Sequence, residues 1–129
     1  MKPQELRIGN YVATDNGFPM FITALGEDWV QLDFKENVAD ILEEKLEDVH
    51  PCTIMAYQDV LEDMGFEYNK SENKYRALIG GYHVTLIPKG KRYALAIEEL
   101  EEQTGYYYDV VYIHDLQNKI FDTIEIALQ

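Results

Sequence analysis

The sequence predicts an α+β protein: an N-terminal SH3-like small β-barrel over residues 1–52, followed over residues 53–129 by an antiparallel sheet flanked by two helices. Three observations support this fold class. Short alternating segments with tight turns fill the first fifty residues, an amphipathic segment follows residue 53, and four more alternating segments come next. With 129 residues, of which 47% are apolar, the chain can bury a core.

Short strands are predicted for the first unit, over residues 10–14, 18–25 and 29–34. Asp15-Asn16-Gly17 favours a hairpin between the first two strands, because Asn and Gly tolerate positive φ. Alternation in the third strand places Val30, Leu32 and Phe34 on one face, which we expect to be the core face.

The stretch from residue 38 to 48 allows two interpretations, because its apolar residues are spaced as on a helix but also fit short strands. We favour a loop followed by a strand that ends at Val49. Pro51-Cys52-Thr53 is the predicted seam between the two units.

A first helix is predicted from Thr53, which can cap its N-terminus, to Met64. Ile54 and Leu61 fall on one stripe with Met64, and Gly65 is a typical residue to end the helix. Antiparallel strands are then expected over residues 66–69, 74–79, 82–88 and 92–98.

The last thirty residues are expected to form a second helix and a closing strand. The helix is predicted from about Asp109 to Phe121, with Ile113, Leu116 and Ile120 on its buried stripe. The alternating residues 123–128 predict the strand.

Charge limits the partners. Lys and Arg total 11 and Asp and Glu total 24, a net charge of −13, which repels nucleic acid and anionic lipid. The basic cluster Lys89 to Arg92 is small. The first residues contain no apolar signal core, and no apolar run is long enough to span a membrane. We therefore expect a cytoplasmic protein that does not bind membranes, and the net charge disfavours binding to nucleic acid.

The sequence contains no recognisable motif for catalysis, cofactor binding or metal binding. His50, His83 and His114 are far apart in sequence, so we expect no metal site, no cofactor and no enzymatic activity. His50 and Cys52 share one side of an extended segment, and a reactive thiol is the alternative there. We favour a buried structural cysteine.

Ten tyrosines occur in the chain, and two interpretations stand. Tyrosine suits half-buried sheets, but it is also common at interfaces and so suggests a binding surface. The candidate protein-interaction residues are Tyr82, Tyr93, Tyr106, Tyr107, Tyr108, His114 and Asn118. For His114, Gln117 and Asn118 two interpretations stand, a polar recognition cluster or side chains that bind loop backbone and pin the helix to the sheet. We favour the second.

Two segments carry a resemblance: Glu5-Leu6-Arg7-Ile8-Gly9-Asn10, and His114-Asp115-Leu116-Gln117-Asn118 followed by Phe121. Together they resemble a family of short uncharacterised proteins of Bacteroides-type gut bacteria and their mobile elements. The chain departs from that pattern after Phe121. The resemblance implies a bacterial or phage-linked cytoplasmic protein, and it assigns no activity and no residue roles.

The function predicted from these observations is a non-catalytic interaction module that binds another protein and serves a mobile element or its host. The alternative is a small-barrel nucleic-acid-binding protein, since small barrels often have that role, but the net charge opposes it.

Overall fold

The structure, a computed structural model, describes residues 3–15, 17–34, 37–99, 105–126 and 128. It contains two five-stranded antiparallel sheets and two helices, which confirms the α+β class. The strands of the first sheet are β1 (Tyr11–Ala13), β2 (Pro19–Leu25), β3 (Trp29–Phe34), β4 (Asn37–Lys45) and β5 (His50–Pro51). Those of the second are β6 (Glu67–Asn69), β7 (Lys74–Ile79), β8 (Tyr82–Lys89), β9 (Arg92–Glu99) and β10 (Gly105–Val110). The helices are α1 (Gln58–Asp63) and α2 (Ile113–Ile124).

The first sheet has the strand order β4-β3-β2-β1-β5, and it is not a closed barrel. The turn before β2 forms at the predicted place, with Gly17 at φ +78° and its N–H donating to the Thr14 carbonyl over 2.9 Å. Val30 and Leu32 are buried as expected, whereas the side chain of Phe34 lies outside the described residues. The middle position of the predicted turn, Asn16, also lies outside them.

The prediction of a loop between β3 and a strand ending at Val49 was wrong. Residues 37–45 form β4, which pairs with β3 through Trp29 opposite Lys45 and Leu32 opposite Leu42. A single 3-10 turn (Leu46–Asp48) then leads to β5. Pairing with a neighbouring strand decided between two local patterns that the sequence satisfied equally well.

The second sheet has the order β10-β9-β8-β7-β6. The strands β6, β7, β8 and β9 occur where they were predicted, to within two residues at each end. β10 was missed, because no strand was predicted over Tyr106 to Tyr108 and a helix was expected from about Asp109. Tyr106, Tyr107 and Tyr108 instead pair with the segment Leu95–Ile97 of β9, and that long-range pairing suits the strand preference of tyrosine.

Both helices differ from their predicted ends. Thr53 accepts the Ala56 N–H over 3.2 Å, but it caps only a turn, and α1 begins at Gln58. Gly65 ends that helix region at φ +100°, as predicted. The closing strand over residues 123–128 was wrong, because α2 continues to Ile124 and ends at Glu125 in the left-handed conformation. No described helix is long and apolar enough to cross a membrane.

Strand β1 joins the two halves of the molecule. Val12 packs into a core formed by the first sheet, while Tyr11 and Ala13, on the opposite face of β1, pack into the core of the second sheet and the helices. The predicted seam is bonded to the start of α2: the Cys52 carbonyl accepts the Ile113 N–H over 2.8 Å. The division at residue 52 stays a prediction.

Candidate functional site

The two segments that carried the resemblance meet in the structure. Gln117, buried on α2, donates from Nε2 to the Gly9 carbonyl over 2.9 Å and to the Leu128 carbonyl over 2.6 Å. Its Oε1 accepts the Tyr11 N–H over 2.9 Å. One amide side chain thus satisfies three backbone groups, and it holds α2 against the start of β1.

Asn118 extends this connection to the surface. Its Oδ1 accepts a hydrogen bond from Asn10 Nδ2 over 2.9 Å, and its Nδ2 donates to the Glu5 carbonyl over 3.2 Å. Asn10 Oδ1 in turn accepts the Arg7 N–H over 2.8 Å. These bonds match the interpretation in which Gln117 and Asn118 pin the helix to the rest of the fold.

An exposed ion pair lies in the same region. Arg7 donates to both carboxylate oxygens of Asp122, over 2.7 and 3.0 Å. Hydrogen bonding to Arg7 lowers the pKa of Asp122, and the same contact raises the pKa of Arg7. Because both groups are exposed, the pair contributes little to stability, but its bidentate geometry orders the surface between Arg7 and α2.

An apolar recess of about 220 Å³ opens beside Arg7 and Asn118. Ile8, Phe121 and Leu128 supply its apolar lining. Ile8 is 64% exposed and Phe121 42% exposed, so two large apolar side chains border the same recess and remain accessible to solvent. Such residues at one recess, held by a hydrogen-bonded frame, are suited to packing against another molecule.

A larger, polar groove of about 510 Å³ also borders Arg7 and Asn118. The other residues lining it are Gln4, Glu5, Pro51, Tyr112, His114, Asp115, Lys119 and Asp122. Three carboxylates and two cations thus face this groove, which suits a polar partner surface better than an ion of one sign.

His114 lies at this groove but is buried. Its ring stacks on Tyr112, with centroids 5.6 Å apart and the planes 16° from parallel. Burial lowers the pKa of His114, while Asp115 and Glu5 oppose that shift in part. Nδ1 has no hydrogen-bond partner among the described residues. Burial therefore favours the neutral imidazole. The pinning interpretation expected His114 to bind loop backbone, and Nδ1 makes no such bond.

The predicted tyrosines do not form one exposed face, because successive residues of a strand point to opposite faces. Tyr93 is buried, and Tyr82 and Tyr108 pack partly buried against the core. Tyr106 is half exposed on that same side, since it lies opposite Ile97. Tyr107, 71% exposed, stands on the other side of the sheet. No single exposed patch is therefore formed by the described side chains of Tyr82, Tyr93, Tyr106, Tyr107 and Tyr108.

Cys52 is fully buried, and burial raises the pKa of its thiol to about 12. His50 instead faces solvent, with Nε2 lying 2.7 Å from Asp15 Oδ1. The alternative of a thiol activated by His50 has no support in this geometry. Within the described ranges, no group of three or more His, Cys, Asp or Glu residues is placed to hold a metal ion.

Sequence reasoning overlooked Ile8, Phe121 and the Arg7–Asp122 pair. A signal for Phe121 was present, because it lies off the buried stripe of Ile113, Leu116 and Ile120. Arg7 and Asp122 are 115 residues apart in sequence, and only the fold brings them together. No protein-family model, no curated protein and no solved structure matches this chain.

Proposed function

We propose that this protein is a non-catalytic interaction module that binds another protein through the surface around α2. This α2 surface consists of Ile8, Phe121, the apolar recess and the polar groove, and both cavities are bordered by Arg7 and Asn118. The observation that carries the proposal is the exposure of Ile8 and Phe121 at one apolar recess, in a frame held by Gln117 and Asn118.

The arrangement resembles the anatomy of a protein–protein interface, in which apolar anchors are surrounded by polar groups. Ile8 and Phe121 supply the apolar centre. Arg7 and Asp122 supply part of the polar rim, and the groove next to them adds Lys119. Because the hydrogen-bonded frame is already formed, little ordering of this surface is required on binding, which favours affinity.

The net charge of −13 favours a partner with a basic surface, since long-range attraction steers such a partner to the protein. We further propose that the protein is cytoplasmic and of mobile-element origin, and the resemblance of the two end segments supports this. The strand order β4-β3-β2-β1-β5, with a 3-10 turn before β5, supports an SH3-like arrangement of the first sheet.

The test compares affinity-tagged Ile8→Ser and Phe121→Ser with Phe18→Ser in the native host. Phe18 is 62% exposed and lies in the turn region before β2, so it is a matched control for loss of an exposed apolar side chain. We expect the unchanged protein and Phe18→Ser to capture the same stoichiometric partner protein, and both α2-surface variants to lose it while their unfolding midpoints stay unchanged.

Equal capture by all four proteins would contradict the proposal. A salt-dependent mobility shift with RNA or DNA, unaffected by Phe121→Ser, would instead support the nucleic-acid-binding alternative.

A further inference from the structure

We propose that a second cavity, between α1 and the first two strands of the second sheet, binds the cationic side chain of a lysine or arginine in a partner protein. This α1 pocket has a volume of about 380 Å³ and is lined by Gln58, Asp59, Glu62, Tyr68, Asn73, Tyr75 and Pro88. It shares no lining residue with the α2 surface, so the inference does not rest on that site.

Two aromatic rings form part of the pocket. Tyr68 and Tyr75 lie opposite each other on β6 and β7, with ring centroids 4.9 Å apart and planes at 47°. The Tyr68 hydroxyl donates to Asn73 Oδ1 over 2.7 Å, which fixes the ring while leaving the side chain exposed. An accessible aromatic ring attracts ammonium and guanidinium groups through its negative face.

The charge of the pocket is negative. Asp59 and Glu62 are one helical turn apart on α1, and both are exposed at the pocket. No Lys, Arg or His is among the described residues that line it. The nearest cations in sequence, Lys74 and Arg76, alternate with Tyr75 along β7 and form ion pairs with Glu72 instead. A cation entering the pocket therefore meets two carboxylates and no competing positive charge from its walls.

The oxygen atoms along the pocket suit a ligand rich in hydrogen-bond donors. Tyr75 is only 6% exposed, and its phenol side chain lines the pocket. Gln58 donates from Nε2 to the Tyr93 hydroxyl over 3.2 Å, which leaves its Oε1 free to accept. Phenol, amide and carboxylate oxygens all accept hydrogen bonds, and lysine and arginine carry donors alone.

The source of the cation is a protein side chain rather than a free metal ion. The pocket falls in the size range of sites for organic groups, and one aromatic wall with two carboxylates suits an organic cation better than a hard metal ion. The overall charge of −13 draws basic protein segments toward this surface.

The test is an NMR titration of the full chain with three blocked tripeptides, Gly-Arg-Gly, Gly-Lys-Gly and the uncharged Gly-norleucine-Gly. We expect the two cationic peptides to shift the backbone amides of Gln58, Tyr68 and Tyr75, and the norleucine peptide to shift none of them. Tyr68→Leu should weaken binding about fivefold, because it removes the ring. Tyr68→Phe should weaken binding less than Tyr68→Leu does, because it keeps the ring and loses only the hydroxyl that fixes the ring through Asn73.

Charge variants separate the pocket from general attraction to an acidic protein. Asp59→Asn and Glu62→Gln should each weaken binding, whereas Glu27→Gln, which removes one exposed carboxylate elsewhere, should not. Equal weakening by Glu27→Gln, or shifts spread over the whole surface, would overturn the proposal, as would unchanged binding in a folded Tyr68→Leu protein. Phe121→Ser should bind the peptides normally, so failure at one site is distinguishable from failure at the other.

Discussion

Asn10 and Asn118, which lie 108 residues apart in sequence, are joined by a side-chain hydrogen bond of 2.9 Å. The bond connects the turn before β1 to α2. It belongs to a chain that also includes the Arg7 N–H and the Glu5 carbonyl. Both segments that carried the resemblance therefore build one junction, and that junction also frames the α2 surface.

Replacing Asn118 by Ala should destabilise the fold. The variant loses the bonds to Asn10 and to the Glu5 carbonyl, at about 1–3 kcal/mol for groups left without partners. Because the site is only partly buried, water replaces part of the loss, and we expect a value near the lower end. Urea denaturation measures it. An unchanged midpoint together with lost partner capture would show that Asn118 is a recognition residue instead.

Gln117→Ala should cost more than Asn118→Ala. Gln117 is buried, and its loss leaves the Tyr11 N–H and the carbonyls of Gly9 and Leu128 without this partner. Three such groups, at about 1–3 kcal/mol each, imply a loss of several kcal/mol. Gln117→Leu fills a similar volume without the hydrogen bonds, so a similar loss in both variants would assign the effect to the bonds. The same denaturation experiment ranks all three, and a reversed order would contradict this account of the junction.

Leu116→Ala should destabilise severely. Leu116 is fully buried in the core that α2 shares with the second sheet, and truncation of such a leucine typically costs about 2–5 kcal/mol. Phe121→Ala on the same helix is the control, because its side chain is exposed and its removal opens no core cavity. Comparable losses in the two variants would mean that α2 packs differently.

Gly65→Val should cost about 1 kcal/mol or more, because Gly65 has φ +100°, a conformation that a β-branched residue resists. Nothing lies within 4 Å of the position that a Cβ would occupy, so the penalty is conformational rather than steric contact with a neighbour. Gly65→Asn should cost less, since Asn tolerates positive φ better. Equal unfolding midpoints for the glycine and valine proteins would refute this.

The thiol of Cys52 should be unreactive in the folded protein at pH 8, because burial raises its pKa to about 12. An ordinary unfolded cysteine has a pKa of about 8.5. Between these two pKa values the folded state keeps the thiol proton that the unfolded state releases. The stability that the Cys52 thiol contributes is therefore fully present below about pH 8.5 and declines as the pH rises toward 12. Ellman's reagent should react only after urea is added; rapid stoichiometric reaction without urea would contradict the burial.

Several features of the fold could be predicted from the sequence because their causes are local. Alternation and turn residues placed β7, β8 and β9, and Gly65 marked the end of the first helix region. The spacing of Ile113, Leu116 and Ile120 identified the buried face of α2. These signals lie within about ten residues, where backbone geometry and burial act directly on the residue pattern.

The tertiary structure decided what depends on distant partners. β4 and β10 form because β3 and β9 offer them hydrogen bonds, although local patterns allowed a loop or a helix. The alternation of side chains along the strands divided the tyrosines between two faces of the sheet. Folding also brought Arg7 to Asp122 and Asn10 to Asn118. Composition alone determined the acidity, but the position of a binding surface follows from side chains that meet only after the chain has folded, and no local pattern records such a meeting.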